Sequence, residues 1–227
     1  MRSWVAFAAA LATLATLAGC QSESWEQYMD AAAFAYQDGR SDEAEAFFLL
    51  AAQVAEEYDD TDPRRALTLG NLADLYRAQA RDEEAESAYL ESLALLERID
   101  GPDSPRVARF VADIAVFYTT LGRVEEAEPL YWRALEALEW THGFYHDDVL
   151  ELRTILAGFL LQQERYREAE PLYVEVLAIL LDTPEPDRDL DRVLTVLDEY
   201  AGLLRATGRT DEAAEAAARA SDIRARF

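Results

Sequence analysis

The chain has 227 residues, 51% hydrophobic and 29% charged. That is enough apolar material for a sizeable core and too much charge for a body embedded in a membrane along its length. Its 45 acids outweigh 21 bases, every one of them arginine, and the formal charge of −24 repels phosphate backbones, so nucleic acid is excluded as a partner.

Met1-Arg2-Ser3 carries one positive charge, and from Trp4 to Ala18 only apolar residues and threonine follow, a run of 15. A membrane-spanning helix needs about 20 such residues, so the run predicts a cleaved secretory signal over residues 1–19. Leu17-Ala18-Gly19-Cys20 resembles the lipobox of bacterial lipoproteins. The resemblance implies cleavage before Cys20, a diacylglyceryl group on its sulfur and an acyl chain on the new amine; no other cofactor is expected. An ordinary signal with an incidental thiol, or an uncleaved anchor, is the competing reading. Cys20 is the only cysteine, so no internal disulfide uses it. Each buried methylene contributes about 0.8 kcal/mol, and two or more chains give stable anchoring. Gln21, where the family's sorting rule for Gram-negative cells would have aspartate for inner-membrane retention, implies the outer membrane, with the body facing the periplasm. Residues 20–24 form the lipidated cysteine and a short linker. Gln21 to Ser24 reach at most roughly 14 Å, so the body sits close to the bilayer.

From residue 25 the chain repeats itself. Glu126-Ala127-Glu128-Pro129-Leu130-Tyr131 recurs letter for letter 42 residues later as Glu168-Ala169-Glu170-Pro171-Leu172-Tyr173. Its alanine belongs to a column, Ala44, Ala85, Ala127, Ala169 and Ala213. Twelve residues before each stands another alanine: Ala32, Ala73, Ala115, Ala157 and Ala201. Two all-alanine columns in fixed phase predict two helices that cross closely in each of about five units, roughly 25–60, 61–102, 103–145, 146–187 and 188–227. Phe48, Tyr89, Tyr131 and Tyr173 lie four residues after the second column, and Ala51, Ser92, Ala134, Val176 and Ala220 seven after it; both sets fall on one helical face. Polar turns separate the helices, as in Asp38-Gly39-Arg40 and Leu121-Gly122-Arg123. Acids crowd the start of each second helix, where they complement the dipole. Longer breaks such as Gly101-Pro102-Asp103-Ser104-Pro105 and Thr183-Pro184-Glu185-Pro186-Asp187 link units within one array, and Pro129 and Pro171 are expected near a first turn, where a missing N–H matters least.

The run Asn71-Leu72-Ala73-Asp74-Leu75-Tyr76, then Glu83-Glu84-Ala85-Glu86 to Leu96, then Gly101-Pro102-Asp103-Ser104-Pro105, resembles tetratricopeptide repeats of the 42-residue kinesin-light-chain type. The resemblance spans nearly all of residues 25–227. It implies an all-α fold, a right-handed superhelical stack of helix-turn-helix repeats whose first helices line a concave groove that binds a peptide or protein. In the second unit Leu69, Leu72, Ala73 and Tyr76 are expected in the core, and Leu67, Gly70, Asn71, Asp74, Arg77 and Ala78 in the groove. Asn71 occupies the place where family members clamp a peptide backbone; that column reads Asp30, Asn71, Asp113, Ile155 and Glu199 here, one asparagine in five.

Arg77, Arg109 and Arg205 add positive points and Tyr36 an aromatic one. A guanidinium suits a carboxylate on a partner. The competing reading makes them solvated residues paired with Asp74, Asp113 or Glu199. Glu83, Glu84, Glu86, Glu125, Glu126 and Glu128 read as a solvated face. His142 and His146 are four apart and followed by Asp147 and Asp148. On a helix that spacing can hold a metal, but Gly143 breaks the helix, and no metal site is expected. Trp25, Trp132 and Trp140 read as core or helix-end packing. No phosphate loop or nucleophile elbow occurs, and the chain reads as a non-enzymatic scaffold anchored by lipid in the bacterial envelope. The alternatives are a self-associating structural protein, or a metal-dependent accessory centred on the two histidines.

Overall fold

The computed structural model describes residues 24–59, 61–184 and 189–225. Cys20, with its signal and the linker up to Glu23, and Glu185 to Asp187 lie outside the described residues. Within them are ten α-helices and no strand: α1 (Trp25–Gln37), α2 (Ser41–Ala55), α3 (Arg64–Ala78), α4 (Asp82–Asp100), α5 (Pro105–Thr120), α6 (Val124–His142), α7 (Asp147–Gln162), α8 (Tyr166–Asp182), α9 (Leu190–Ala206) and α10 (Thr210–Arg224). Odd-numbered helices are the first, and even-numbered the second, of each repeat.

Starts and turns are set locally. Ser24 caps α1 in a reciprocal capping box with Gln27, and Ser104 caps α5 with Pro105 directly behind it. Between the two helices of every repeat one residue takes the left-handed conformation that ends the first helix: Gly39 (φ +74°), Ala80 (+55°), Gly122 (+71°), Glu164 (+58°) and Gly208 (+77°). An arginine follows each. Arg40, Arg81, Arg123, Arg165 and Arg209 all pair with the glutamate three residues on, in the first turn of the second helix. Several reach further. Arg81 also bonds Glu45, Arg165 bonds Glu128 and Arg209 bonds Glu170, each on the second helix of the preceding repeat. Guanidinium groups also cover aromatic rings near the first helix's end, Arg81 over Tyr76 and Arg123 over Tyr118. Each turn inside a repeat is thus tied forward by its arginine, and Arg81 is also tied backward to Glu45 and packed over Tyr76. Residues expected only as polar punctuation are joints.

The proline positions differ from expectation. Pro129 and Pro171 are each the sixth residue of their helix, in the second turn. There a missing N–H leaves the carbonyl four residues earlier without its helical donor. Glu125 and Arg167, which own those carbonyls, are exposed residues.

The described residues fall into two compact units, divided between Leu95 and Leu96. In the first, α1 packs on α2, α2 on α3 and α1 on α3. Ala32, Ala35, Ala44, Phe48, Leu72 and Leu75 form the centre, with Met29, Phe47 and Tyr76 packed around it. Trp25 donates its indole N–H to Thr68 Oγ1 at 2.8 Å, and Ser92 Oγ donates to the Ala66 carbonyl at 2.7 Å. On α3 the core is wider than the expected stripe: Ala66, Thr68, Gly70 and Leu75 are buried beside Leu72 and Ala73. Gly70, expected in the groove, is enclosed. The reason is that α3 packs against both the preceding repeat and its own second helix and so buries two faces.

In the second unit, α5 pairs with α6, α7 with α8 and α9 with α10; α6–α7, α8–α9, α5–α7 and α7–α9 contacts join the pairs. Both alanine columns are enclosed throughout, none of their ten members above 2% exposed. Ala51, Ser92, Ala134, Val176 and Ala220 are all fully covered. A methyl at these crossings sets the helix separation, as the spacing predicts.

Candidate functional site

The first helices present their solvent stripes as expected in part. On α3, Asn71, Asp74, Arg77 and Leu67 are exposed. Asn71 turns its Nδ2 back to the Leu67 carbonyl at 2.8 Å. Asp74 accepts the Tyr89 hydroxyl at 2.5 Å and pairs with Arg77 at 3.4 Å. Three of the named residues therefore sit together on one helix, with their polar groups already engaged. Tyr36 is exposed at the end of α1.

In the second unit the stripe forms a cleft of about 190 Å³. Arg109, Ala112 and Asp113 come from α5, Asp148, Glu151, Leu152 and Ile155 from α7, and Leu138 from α6. Spacings of four along each helix put these side chains on one face. Its floor is apolar and its rim carries three carboxylates against one guanidinium. That guanidinium is not free: Arg109 Nη1 donates to Asp148 Oδ2 at 2.7 Å. Here the arginine read as a carboxylate-binding point is held by the protein's own acid, which leaves the rim acidic. Arg205 is exposed on α9.

Glu199 departs from its column. One of its oxygens is buried rather than presented to solvent, and lies near the hydroxyl of the fully buried Tyr173 without a hydrogen bond to either. The two approach over Gly158, where a β-carbon would stand 3.7 Å from Tyr173 Oη and 4.0 Å from Glu199 Oε2. Burial raises the pKa of Glu199, opposed in part by the Tyr173 hydroxyl. Burial also raises that of Tyr173, and the Glu199 charge raises it further. The signal was in the sequence: Gly158 takes the place that Asp74 holds in the second repeat, so this tyrosine lacks the acceptor that Tyr89 has.

At the α6–α7 turn Gly143 breaks the helix as predicted, with φ +82°. The break does not separate the histidines. It folds the chain back so that their ring centroids are 4.0 Å apart, with Asp148 beside both. Around the same turn Trp140 (87%), Tyr145 (79%) and Phe144 (56%) are exposed, which corrects the packing role expected of Trp140. Beneath it Arg153 is buried, bonded through Nη2 to Glu139 at 2.7 Å and covered by the Phe144 ring. Of the acidic stretch, Glu84, Glu126 and Glu128 are bound by the arginine joints. Among the described residues no helix is long and apolar enough to cross a membrane.

A family model described as tetratricopeptide repeat matches residues 27–98, 106–182 and 148–226. No curated protein sequence matches the chain significantly. Among solved structures it is similar to BtubC (BKLC) from P. vanneervenii, 24% identical with a TM-score of 0.80 over 88% of this chain and 79% of that one. A Podosopora anserina kinesin light chain with nearly identical TPR-like repeats is 23% identical, TM-score 0.75, over 88% and 95%. A Rap protein complexed with competence and sporulation factor is 17% identical, TM-score 0.63, over 88% and 54%.

Proposed function

This chain belongs to the tetratricopeptide repeat family, a fold suited to protein–protein contact, and from that premise we propose that it is a lipid-anchored scaffold that holds a peptide or protein partner in the bacterial envelope. Lipid on Cys20 tethers it, Gln21 directs it to the outer membrane, and the repeat body faces the periplasm without catalysing a reaction. The observation that carries the binding reading is the α5–α7 cleft. An apolar floor of Ala112, Leu138, Leu152 and Ile155 lies under an acidic rim of Asp113, Asp148 and Glu151. Such a site fits an extended segment that lays an apolar side chain on the floor and a basic one on the rim. The Rap relative's complex with a factor is consistent with that use of the fold.

Photo-crosslinkers at Ala112 and Ile155, expressed in the native cell, test the reading. Capture of one partner, lost on Asp113→Lys and Glu151→Lys and absent when the crosslinker sits on exposed Glu215, supports it. Equal capture from all positions refutes the cleft. Cys20→Ala should move the protein out of the membrane fraction, and persistence there would refute the lipid anchor. Light scattering of the purified protein shows whether the partner is a second copy of the chain.

A further inference from the structure

The α6–α7 turn carries a cluster that shares only Asp148 with the cleft. His142 closes α6, and His146 caps α7 by accepting the Asp148 backbone N–H on Nδ1 at 3.2 Å. Asp148, one residue into α7, reaches back to both rings: its Oδ2 lies 3.6 Å from His142 Nδ1 and 3.9 Å from His146 Nδ1. One potential ligand atom from each of the three residues falls within 4.8 Å of the others. His142 Nδ1 is buried with no hydrogen-bond partner. A buried ring nitrogen without a partner is a cost that a bound cation removes.

We propose that His142, His146 and Asp148 bind a transition-metal dication of the zinc class, with water completing the coordination. Tetrahedral zinc with bonds of about 2.0–2.1 Å keeps its ligand atoms roughly 3.3–3.4 Å apart. The two carboxylate–imidazole separations exceed that by about 0.2–0.6 Å, closed by side-chain rotations, and a metal on His146 Nδ1 takes the lone pair that now accepts the Asp148 backbone N–H. Two imidazole nitrogens and one carboxylate are a donor set for zinc, nickel or copper, and too nitrogen-rich for magnesium or calcium. The strong negative charge of the protein draws in any dication. What opposes binding is Arg109, whose guanidinium already neutralises Asp148. Metal and Arg109 are alternative counter-ions for one carboxylate, so they compete.

That competition gives a test that misfolding cannot imitate. Zn2+ alone is titrated by calorimetry into the full-length, untagged protein in detergent, with Mg2+ as the comparison. The expected result is one Zn2+ per chain and no binding of Mg2+. His142→Ala and, separately, Asp148→Asn should weaken Zn2+ by at least roughly tenfold, while Arg109→Gln should tighten it. Circular dichroism melts show that each variant is folded. Absence of Zn2+ binding, or binding indifferent to His142→Ala and Arg109→Gln, overturns the site. Because no peptide enters the experiment, its failure leaves the scaffold reading standing, and loss of the scaffold reading leaves the metal site standing.

Discussion

Three buried tyrosines differ in a single respect, the fate of one hydroxyl, and replacing each by phenylalanine removes one oxygen atom without a cavity. Tyr89, Tyr131 and Tyr173 occupy the same column and are equally enclosed. Tyr89 donates to Asp74, and Tyr131 meets Thr119 Oγ1 at 3.1 Å. Since the Thr119 hydroxyl itself donates to the Ala115 carbonyl, Tyr131 is the donor. Tyr173 has no hydrogen-bond partner. A hydrogen bond to a charged group contributes about 1.5–3 kcal/mol, but Asp74 is solvent-exposed and rehydrates once the hydroxyl is gone, so Tyr89→Phe should cost about 1 kcal/mol. Tyr131→Phe loses a neutral bond whose acceptor is partly covered, about 0.5–1 kcal/mol. Tyr173→Phe removes a buried hydroxyl that makes no hydrogen bond and only eases the neighbouring Glu199 charge, so it should cost less than Tyr131→Phe. Urea unfolding reads this directly: 1 kcal/mol displaces the midpoint by roughly 0.3–1 M at unchanged slope. Tyr131 and Tyr173 make the cleaner pair, since both belong to the second unit and share one unfolding reference. A midpoint loss for Tyr173→Phe as large as that for Tyr131→Phe would refute the reasoning.

Glu199→Gln should stabilise the protein at pH 7. Burial raises the folded-state pKa of Glu199 above its unfolded value, so the wild type loses stability as pH rises above the ordinary glutamate value of about 4.3. The variant's advantage should therefore vanish at lower pH, and melts at pH 4 and 7 that differ equally in both proteins would contradict it. Gly122→Ala meets no atom within 4 Å and should still cost about 1 kcal/mol, purely for placing a β-carbon at φ +71°, whereas Ala80→Gly at the matching turn should be neutral or stabilising; a clash-free Gly122→Ala that melts like wild type would show the turn to be relaxed. Glu139→Ala leaves the buried Arg153 charge only its longer 3.7 Å pairing with Glu175 and should cost up to about 3 kcal/mol, while Arg153→Met, which removes the charge itself, should cost less. Equal thermal shifts for the two would count against a buried ion pair.

Which faces are buried was legible in the sequence because helix crossings are paid for locally: a methyl at each contact fixes the register, and ten alanines at constant phase expose the whole array. The order of helices and the stripe that builds the cleft follow from the same periodicity. Periodicity cannot say whose atoms arrive across from a side chain. Asp74 and Glu199 both read as groove acids, yet one takes a tyrosine hydroxyl at the surface and the other has an oxygen buried beside a tyrosine it does not bond, because Gly158 stands where Asp74 does. Arg109 read as a free cation and is held by Asp148, 39 residues away. Gly143 ends its helix as its residue type dictates, but only the path of the chain afterwards stacks His142 against His146. The proposed lipid on Cys20 rests on a local resemblance alone, a thiol behind two small residues and an apolar run. The arginine joints, the acidic rim and the histidine cluster required the tertiary structure, since each is a meeting of residues from separate turns of chain whose distance in sequence carries no record of their distance in space.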